Sequence, residues 1–484
     1  MEALESRRDE PPLFVDLDGT LIKTDVLLES LLVLIKAEPW MIFLLPLWLL
    51  KGRAFLKAEI ARRTDLRADG LIYDERLIAM LRSEHEKGRH LVLATASNRK
   101  YADAVAEHVG VFAHVIASSD TENMKGKQKV EAILAYTKGA PFDYAGNEAA
   151  DLPIWEKARR SICVDTPYAV VRTVRGYAGE LEELPRVRKS PLRVFAKAIR
   201  VHQWLKNALV FVPIAAAHRI DDVQADARVV AAFFAYSLCA SSVYVLNDLT
   251  DLRSDRLHPR KCKRPFAAGD LELKTGLAMI PLLLGASLTI ALVFLPLRFV
   301  AVLGTYYVCS MTYNFVAKER VVWDVILLAG LYVLRVIAGA AAVPVPVSFW
   351  LLAFSMFIFL SLALAKRYSE LNTMQRAGRS IATGRGYRTD DMAMVQSMGV
   401  SSGYLSVLVM ALYINSPEIH ARYNQPEALW GICPLLLFWM SRVWLKTHRG
   451  EMHDDPVVYA VRDPMSLAIG ALTIGCLVLG KLGG

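Results

Sequence analysis

Hydrophobic positions follow two rhythms that change near residue 190. Before that point, short apolar runs at 13–15, 91–94, 114–117 and 162–164 alternate with longer stretches of helical character. Strands separated by helices predict an α/β unit on a largely parallel sheet. Residues 170–191, with Arg172, Arg175, Arg186, Arg188 and Lys189, read as a basic connector. Beyond residue 200, long apolar runs follow at 204–219, 229–246, 276–297, 299–317, 321–342, 347–365, 393–414, 427–445 and 464–482. Most approach the ~20 residues a bilayer core requires, which predicts an all-α polytopic membrane domain of about nine transmembrane helices.

One apolar segment breaks this division. Residues 40–50 (WMIFLLPLWLL) are wholly apolar and 26–35 nearly so. A helix of that length rises only ~16 Å, too short to span. Two readings remain open: a helix buried in the soluble domain, or an interfacial hairpin on the membrane. The two tryptophans and the flanking Lys36, Lys51 and Arg53 favour the second.

Composition sharpens the picture. Of 484 residues, 54% are apolar and 22% charged, and the mean hydropathy is +0.30. This excludes a disordered or highly charged scaffold and is too apolar for an ordinary soluble protein. Lys and Arg number 57 against 48 Asp and Glu, a net charge of +9. In a membrane protein that excess points to basic cytoplasmic loops and anionic ligands, with no nucleic acid expected. One set of loops is rich in Lys and Arg, among them Arg253, Arg256, Arg260, Lys261, Arg320, Arg376, Lys446 and Arg449, whereas the alternate set carries little beyond Arg219, Arg298 and Arg422. The basic set and the N-terminal domain are therefore expected in the cytoplasm, with Gly484 on the far side. The six cysteines are scattered with no C-x-x-C pair, so neither a zinc site nor a disulfide framework is expected. Residues 1–12 are polar and charged, so no secretory signal is expected there.

The first apolar run ends in Asp16-Leu17-Asp18-Gly19-Thr20. Two carboxylates one residue apart at a strand's end can share a magnesium ion and divide two tasks. Asp16 would attack a phosphate in line and Asp18 would protonate the leaving oxygen. The glycine lets backbone amides approach phosphate oxygens. A later run ends in Thr95 (LVLAT), then come Lys125, Lys127 and Lys129, then Gly146-Asn147-Glu148-Ala149-Ala150-Asp151. This ordered set resembles the haloacid dehalogenase superfamily, with its D-x-D-G-T, hydrophobic run ending in Thr or Ser, lysine, and G-D-x-x-x-D. The resemblance implies a Rossmannoid α/β phosphatase with Asp16 as nucleophile, Asp18 as general acid/base, Thr95 as phosphate hydroxyl and Asp151 as magnesium ligand. Asp16 and Asp18 join the metal set. Lys129, which begins a helical pattern, is the preferred lysine, with Lys125 the alternative. Asn147 stands where the family has an aspartate; an amide oxygen still ligates a hard cation but brings no charge. The segment after the first motif commonly forms a cap, which is where the apolar hairpin lies.

The run 229–246 ends in Asn247-Asp248-Leu249-Thr250-Asp251-Leu252-Arg253-Ser254-Asp255. Positions 247, 251 and 255 are four apart and 248 and 251 three apart, so one helical face carries all four oxygen-bearing side chains. Crowded carboxylates favour a cation, and magnesium bound through them and a diphosphate fits. The plainer alternative is a solvated helix end with intrahelical ion pairs to Arg253 and Arg256. N-D-x-x-D-x-x-x-D resembles the UbiA superfamily of intramembrane transferases, over most of 195–484. The superfamily's second acidic pair is reduced here: 313–318 is followed by the lone Asp324.

Within that superfamily, Gln203 to Asn207, Lys263 to Gly269, Tyr313 to Lys318, and Lys366-Arg367 look like the decaprenyl-phosphate phosphoribosyltransferase group. That resemblance implies transfer of phosphoribose from phosphoribosyl diphosphate (PRPP) to a polyprenyl phosphate in a bacterial inner membrane. Lys206, Asn207, Arg264, Tyr313, Lys318, Asp324, Arg335, Lys366 and Arg367 are the expected substrate-binding residues; Asp248, Asp251 and Asp255 the catalytic ones; and Asn247, Asp248, Asp251 and Asp255 the metal ligands. Asp324 and Arg335 share a helix face, and Arg335 lies ~20 Å inward from Val321, where an unpaired charge is costly. Residues 369–391, with Arg376, Arg379 and Gly384 to Arg388, read either as a basic flap over the diphosphate or as a flexible loop. Magnesium is expected in both domains, taken as 1–190 with an apolar cap at 26–53, and 191–484. Alternative readings are an aromatic prenyltransferase, or an N-terminal domain reduced to binding or regulation. The oligomeric state is open.

Overall fold

In this computed structural model, which describes residues 10–186, 189–217, 222–376, 378, 386–452 and 456–482, the short apolar runs become strands of one parallel sheet. The strands are β1 (Leu13–Val15), β2 (Leu91–Asn98), β3 (His114–Ser118), β4 (Asp143–Gly146), β5 (Arg160–Val164) and β6 (Glu180–Leu184). Their order is β3-β2-β1-β4-β5-β6. Leu13 pairs with Leu91 on one side and Asp143 on the other. The side chains of β1 alternate, Leu13 and Val15 entering one apolar layer and Phe14 the opposite one. Burial on both faces explains why the inner strands read as unbroken apolar runs. The chain winds outward from β1 in both directions, so the carboxyl ends of β1 and β4 form a topological switch point where a ligand crevice opens.

Two strands differ from expectation. β4 is too short and too mixed (DYAG) to stand out. β6 lies in the region read as a basic connector, which instead holds the helix Tyr168–Arg175 and this edge strand. Its sequence, ELEEL, is polar because an edge strand has a solvated side; Glu182 pairs with Arg160 at 2.5 Å.

The segment after β1 forms helix α1 (Val26–Ala37), a 3-10 turn at Pro39–Phe43, the short helix Leu45–Leu50 and α2 (Arg53–Arg63). Leu34, Met41, Trp48 and Ile60 make a small core of their own. Trp40, Phe43 and Leu50 stay 55%, 79% and 84% exposed. The hairpin thus buries one apolar side and presents the other, which departs from a fully buried helix. Helix α3 (Lys127–Thr137) precedes β4.

The apolar runs form α4 (Val223–Thr250), followed by the short α5 (Leu252–Arg256), then α6 (Leu273–Phe294), α7 (Leu297–Phe315), α8 (Trp323–Ala342), α9 (Phe349–Arg376), α10 (Met392–Ile414), α11 (Ile432–Arg449) and α12 (Pro464–Leu482). Among the described residues, seven helices are long and apolar enough to cross a membrane, α7 not among them. The expected span at 204–219 is not a regular α-helix. Gln203, Lys206, Asn207 and Pro213 interrupt it, and the chain runs as a 3-10 stretch, Val201–Phe211, into the helix Val212–Ala216. At ~2.0 and ~1.5 Å per residue the two rise together about 30 Å, so fewer residues cover a bilayer's thickness. Residues 369–376 of the expected flap continue α9 as helix; Arg379, Gly384 and Arg385 lie outside the described residues.

The protein divides into two compact units, Met1–Ala198 with Val245–Met279, and Ile199–Tyr244 with Ile280–Gly484. The acidic end of α4 therefore belongs to the same unit as the sheet. In the second unit, α10 presents Gly399 and Gly403 one turn apart, where a Cβ would come within 2.1 Å of Trp444 and 2.5 Å of Met440 on α11. Small residues of this kind let membrane helices approach closely.

Candidate functional site

Asp16 follows β1 directly, at the switch point. Its Oδ1 accepts from Lys129 Nζ of α3 at 2.7 Å. Lys129 also donates to the Tyr144 hydroxyl at 3.1 Å, and that hydroxyl donates to Asp151 Oδ1 at 2.8 Å. Asp151 Oδ2 accepts the backbone amides of Asn147 and Glu148, each at 3.1 Å. Lys125 instead pairs with Glu148 at 3.1 Å on the surface. Asp18 Oδ1 accepts the first-turn amide of α1, Val26 N, at 2.7 Å, and its Oδ2 accepts from Ser97 Oγ at 2.6 Å. Thr95 is fully buried in β2 and its Oγ1 accepts from Ser97 N at 3.0 Å. Asn147 Oδ1 accepts from Thr20 Oγ1 at 3.1 Å. Gly19 adopts φ +78°, and a Cβ there would lie 2.1 Å from Asn147 Nδ2.

Burial pushes Asp16 up to about 6, against the pull of Lys129. Burial, then the charges of Asp25 and Asp16, push Asp18 up to about 7. Such carboxylates gain from a nearby cation, and an all-oxygen donor set suits magnesium. Asp16 and Asp18 fit that role. Asp151 Oδ2 is engaged in fixing the loop, and its Oδ1 accepts from Tyr144. Among the described residues no three Asp, Glu, His or Cys side chains gather closely enough to hold a metal ion.

Three neighbours escaped sequence reasoning. Ser97 lies two residues past the motif threonine. Tyr144 links Lys129 to Asp151. Lys57, on α2, donates to Ala96 O at 2.5 Å and Asn123 Oδ1 at 2.8 Å. Burial lowers the Lys57 ammonium's proton affinity, and the charges of Asp18 and Asp25 oppose this. A lysine from an insertion carries no motif signal.

The acidic helix end keeps its expected spacing. Asp251 interrupts the regular helix, yet the amide of Asp251 donates to Asn247 O at 3.0 Å and that of Asp255 to Asp251 O at 2.9 Å, so the spiral continues. Arg264 Nη1 reaches both Asp248, at 3.0 Å, and Asp255, at 2.5 Å. Burial raises the Asp255 carboxyl, Arg264 lowering it and Asp248 adding to the rise. Lys36 of α1 pairs with Asp251 at 2.6 Å. The arginines anticipated as intrahelical partners turn elsewhere: Arg256 makes a two-pronged contact with Glu29 at 2.9 and 2.7 Å, and Arg253 lies 3.9 Å from Asp69. Asn247 is part-buried beside this set.

In the second unit, buried Arg335 donates to Asn207 Oδ1 at 2.9 Å and to Leu331 O at 2.5 Å. Its guanidinium lies 5.1–5.5 Å from the rings of Tyr236, Tyr306 and Tyr332. Arg335 is thus held by an amide and aromatic faces. Asp324 is fully buried and pairs with Arg367 at 2.6 Å, while Tyr387 OH donates to its other oxygen at 2.9 Å. Buried Lys206 lies 5.8 Å from the Tyr332 ring. Tyr313 on α7, Lys318 in the turn Ala317–Glu319 and Lys366 on α9 are part-buried.

These two arrangements have counterparts among known proteins. Residues 13–156 match the haloacid dehalogenase-like hydrolases and residues 208–459 the UbiA prenyltransferase family. The uncharacterized protein y4nM of Sinorhizobium fredii is 34% identical over 472 residues, 97% of this chain and 90% of that protein. The nodulation protein NoeC of Azorhizobium caulinodans is 36% identical over 294 residues, 60% of this chain and 94% of that one. A decaprenyl-phosphate phosphoribosyltransferase of Mycolicibacterium smegmatis is 36% identical over 189 residues, 38% of this chain and 59% of that enzyme. With the apolar helices described above, this is an integral membrane protein that belongs to the UbiA prenyltransferase family and carries a haloacid dehalogenase-like hydrolase domain at its N-terminal side.

Proposed function

We propose that the membrane domain, 191–484, transfers 5-phosphoribose from PRPP to a polyprenyl phosphate, and that the N-terminal domain, 1–190, then removes the 5-phosphate. The observation that carries the first step is the likeness to decaprenyl-phosphate phosphoribosyltransferases, joined to an acidic helix end surrounded by cations. The bond from C1 to the diphosphate oxygen breaks, pyrophosphate leaves, and a lipid phosphate oxygen bonds to C1. Lys36 and Arg264 now neutralise these acids; Asn247, Asp248, Asp251 and Asp255 would hold magnesium once those side chains turn to the anionic donor, and the metal would supply neutralising charge to the leaving group. Lys206, Arg264, Lys318, Lys366, Arg367 and Arg335, with Asn207, Tyr313 and Asp324, are assigned to binding the anionic donor and acceptor.

In the second step Asp16 attacks phosphorus and the P–O5 bond breaks, with the departing oxygen taking a proton from Asp18. Asp18, which keeps its proton to about 7, suits that task. Water then attacks the aspartyl phosphate, returning a proton to Asp18 and releasing inorganic phosphate. Lys129 offsets charge on the phosphoryl group, Thr95 and neighbouring Ser97 supply hydroxyls, and Asp16 and Asp18 would hold the metal, while Asp151, expected as a further ligand, holds the Asn147–Glu148 loop through its Oδ2. The distribution of Lys and Arg supports a position for both sites on the cytoplasmic side of a bacterial inner membrane.

The tests use the full-length protein in nanodiscs. Radiolabelled PRPP with decaprenyl phosphate should yield a lipid-linked product, whereas an allylic diphosphate with 4-hydroxybenzoate should not. The opposite pattern selects the aromatic prenyltransferase. Asp251→Ala should abolish transfer and spare the phosphatase, and Asp16→Asn should do the reverse. If the wild type with magnesium leaves the 5-phosphate intact, the second step fails. That outcome is what Asn147 would predict for a domain retained only for binding.

A further inference from the structure

Helix α1 of the phosphatase cap carries Glu29 and Lys36 two turns apart on one face. Each meets a residue of the acidic helix end. The buried pair of Glu29 and Arg256 is two-pronged, and Arg256 also donates to Gly70 O at 2.7 Å. Lys36 reaches Asp251 at 2.6 Å while its own side chain remains 39% exposed. At its other end α1 offers the Val26 amide to Asp18, and Glu29 accepts from Thr24 in the loop of the first motif. One helix therefore joins the two acidic sites within a single unit. Glu29 anchors it, and Lys36 is the more exposed contact.

We propose that Lys36 is a diphosphate-binding residue that the phosphatase cap lends to the transferase; this rests on the reading of Asp248, Asp251 and Asp255 as the metal–diphosphate site. Lys36 Nζ holds Asp251 Oδ1 at 2.6 Å, so it would have to give up that oxygen if Asp251 were to ligate a divalent cation there. The Glu29–Arg256 pair keeps α1 in place, so only the flexible lysine stem moves. The nearest new anion is the diphosphate that accompanies the metal, and Lys36 exchanges a carboxylate oxygen for a phosphate oxygen. A lysine suits this better than an arginine, since a compact charge on a four-carbon stem changes partner without a fixed fork geometry. The transferase's donor site is then complete only when the cap is present.

Lysine labelling of the full-length protein with an amine-reactive ester, read residue by residue by mass spectrometry, tests this. Magnesium alone should raise labelling of Lys36 several-fold, and magnesium with pyrophosphate should lower it again. Lys87, paired with Glu84 away from either site, is the reference. In the same protein Lys36→Met should tighten binding of the Asp251-dependent Mn²⁺ ion, read by electron paramagnetic resonance, and weaken pyrophosphate binding about tenfold or more, the scale of one charge-assisted hydrogen bond. Lys36→Arg should stay nearer to wild type. Unchanged Lys36 labelling in all three states, with the Mn²⁺ ion still lost in Asp251→Asn, overturns the exchange alone. If Asp248→Asn and Asp251→Asn leave the Mn²⁺ stoichiometry unchanged, the metal-site reading falls and this proposal with it.

Discussion

Asp16 and Asp18 titrate high because burial penalises their charge, so the folded protein binds these protons more tightly than the unfolded chain, whose carboxyls titrate near ~4. Their stabilising contribution is complete below that value and is lost as pH rises through about 6 and about 7. A divalent cation binds the ionised forms and opposes the loss. Magnesium should therefore raise the thermal midpoint of this domain more at pH 8 than at pH 5 in scanning fluorimetry; equal shifts would argue against burial as the cause. Gly19 is a second residue-scale test. With φ +78° and Asn147 Nδ2 only 2.1 Å from where a methyl carbon would sit, Gly19→Ala should cost about 1–3 kcal/mol in a denaturant titration. Lys57→Met should lower phosphatase kcat/KM on p-nitrophenyl phosphate by about tenfold to a hundredfold if this lysine helps neutralise the phosphoryl group. Asp16, Asp18 and Thr95 were legible because each ends or follows a recognisable apolar run. Lys57 and Tyr144 were not, since their spacing from Asp16 has no period.

Among the elements, the cap hairpin and the buried pair of α8 and α9 carry distinct expectations. Trp40, Phe43 and Leu50 are exposed on a segment that begins just after Lys36, itself held at the end of a membrane helix. An apolar face of this kind, flanked by Lys51 and Arg53, suits the membrane interface. A nitroxide on Phe43→Cys in proteoliposomes should be more accessible to oxygen than to a water-soluble nickel reagent; the reverse ratio would place the hairpin in water. The Asp324–Arg367 pair is fully buried, so Arg367→Met alone should cost about 3–5 kcal/mol in a denaturant titration, whereas Asp324→Leu with Arg367→Met should cost less, because the charge left behind is that of Glu370, the second partner of Arg367, which is 39% exposed. Hydropathy located most membrane helices. It overread 204–219, where polar side chains and Pro213 favour a stretched 3-10 path, and it missed β6, whose solvated edge leaves no apolar run.

The unit that holds the sheet is discontinuous in the chain, because residues 245–279 return to it. Glu29, Lys36 and Lys189 find Arg256, Asp251 and Asp270 there. A protein ending at residue 198 should accordingly show faster amide hydrogen exchange along α1 than the full chain does; equal rates would mean these pairs contribute nothing to its order. The amino-acid order alone was enough to tell a Rossmannoid haloacid dehalogenase-like domain from a polytopic UbiA-like one, though not the return of residues 245–279 to the unit with the sheet. Strand ends, helical spacing and apolar length are local properties, set by neighbours along the chain. The partners of the two acidic motifs were beyond its reach. Lys36 and Asp251 stand 215 residues apart, and Arg335 turns to Asn207 and three tyrosines rather than to a carboxylate on its own helix. Such pairings follow from how buried charge finds compensation in three dimensions, which leaves no repeat in the sequence to read.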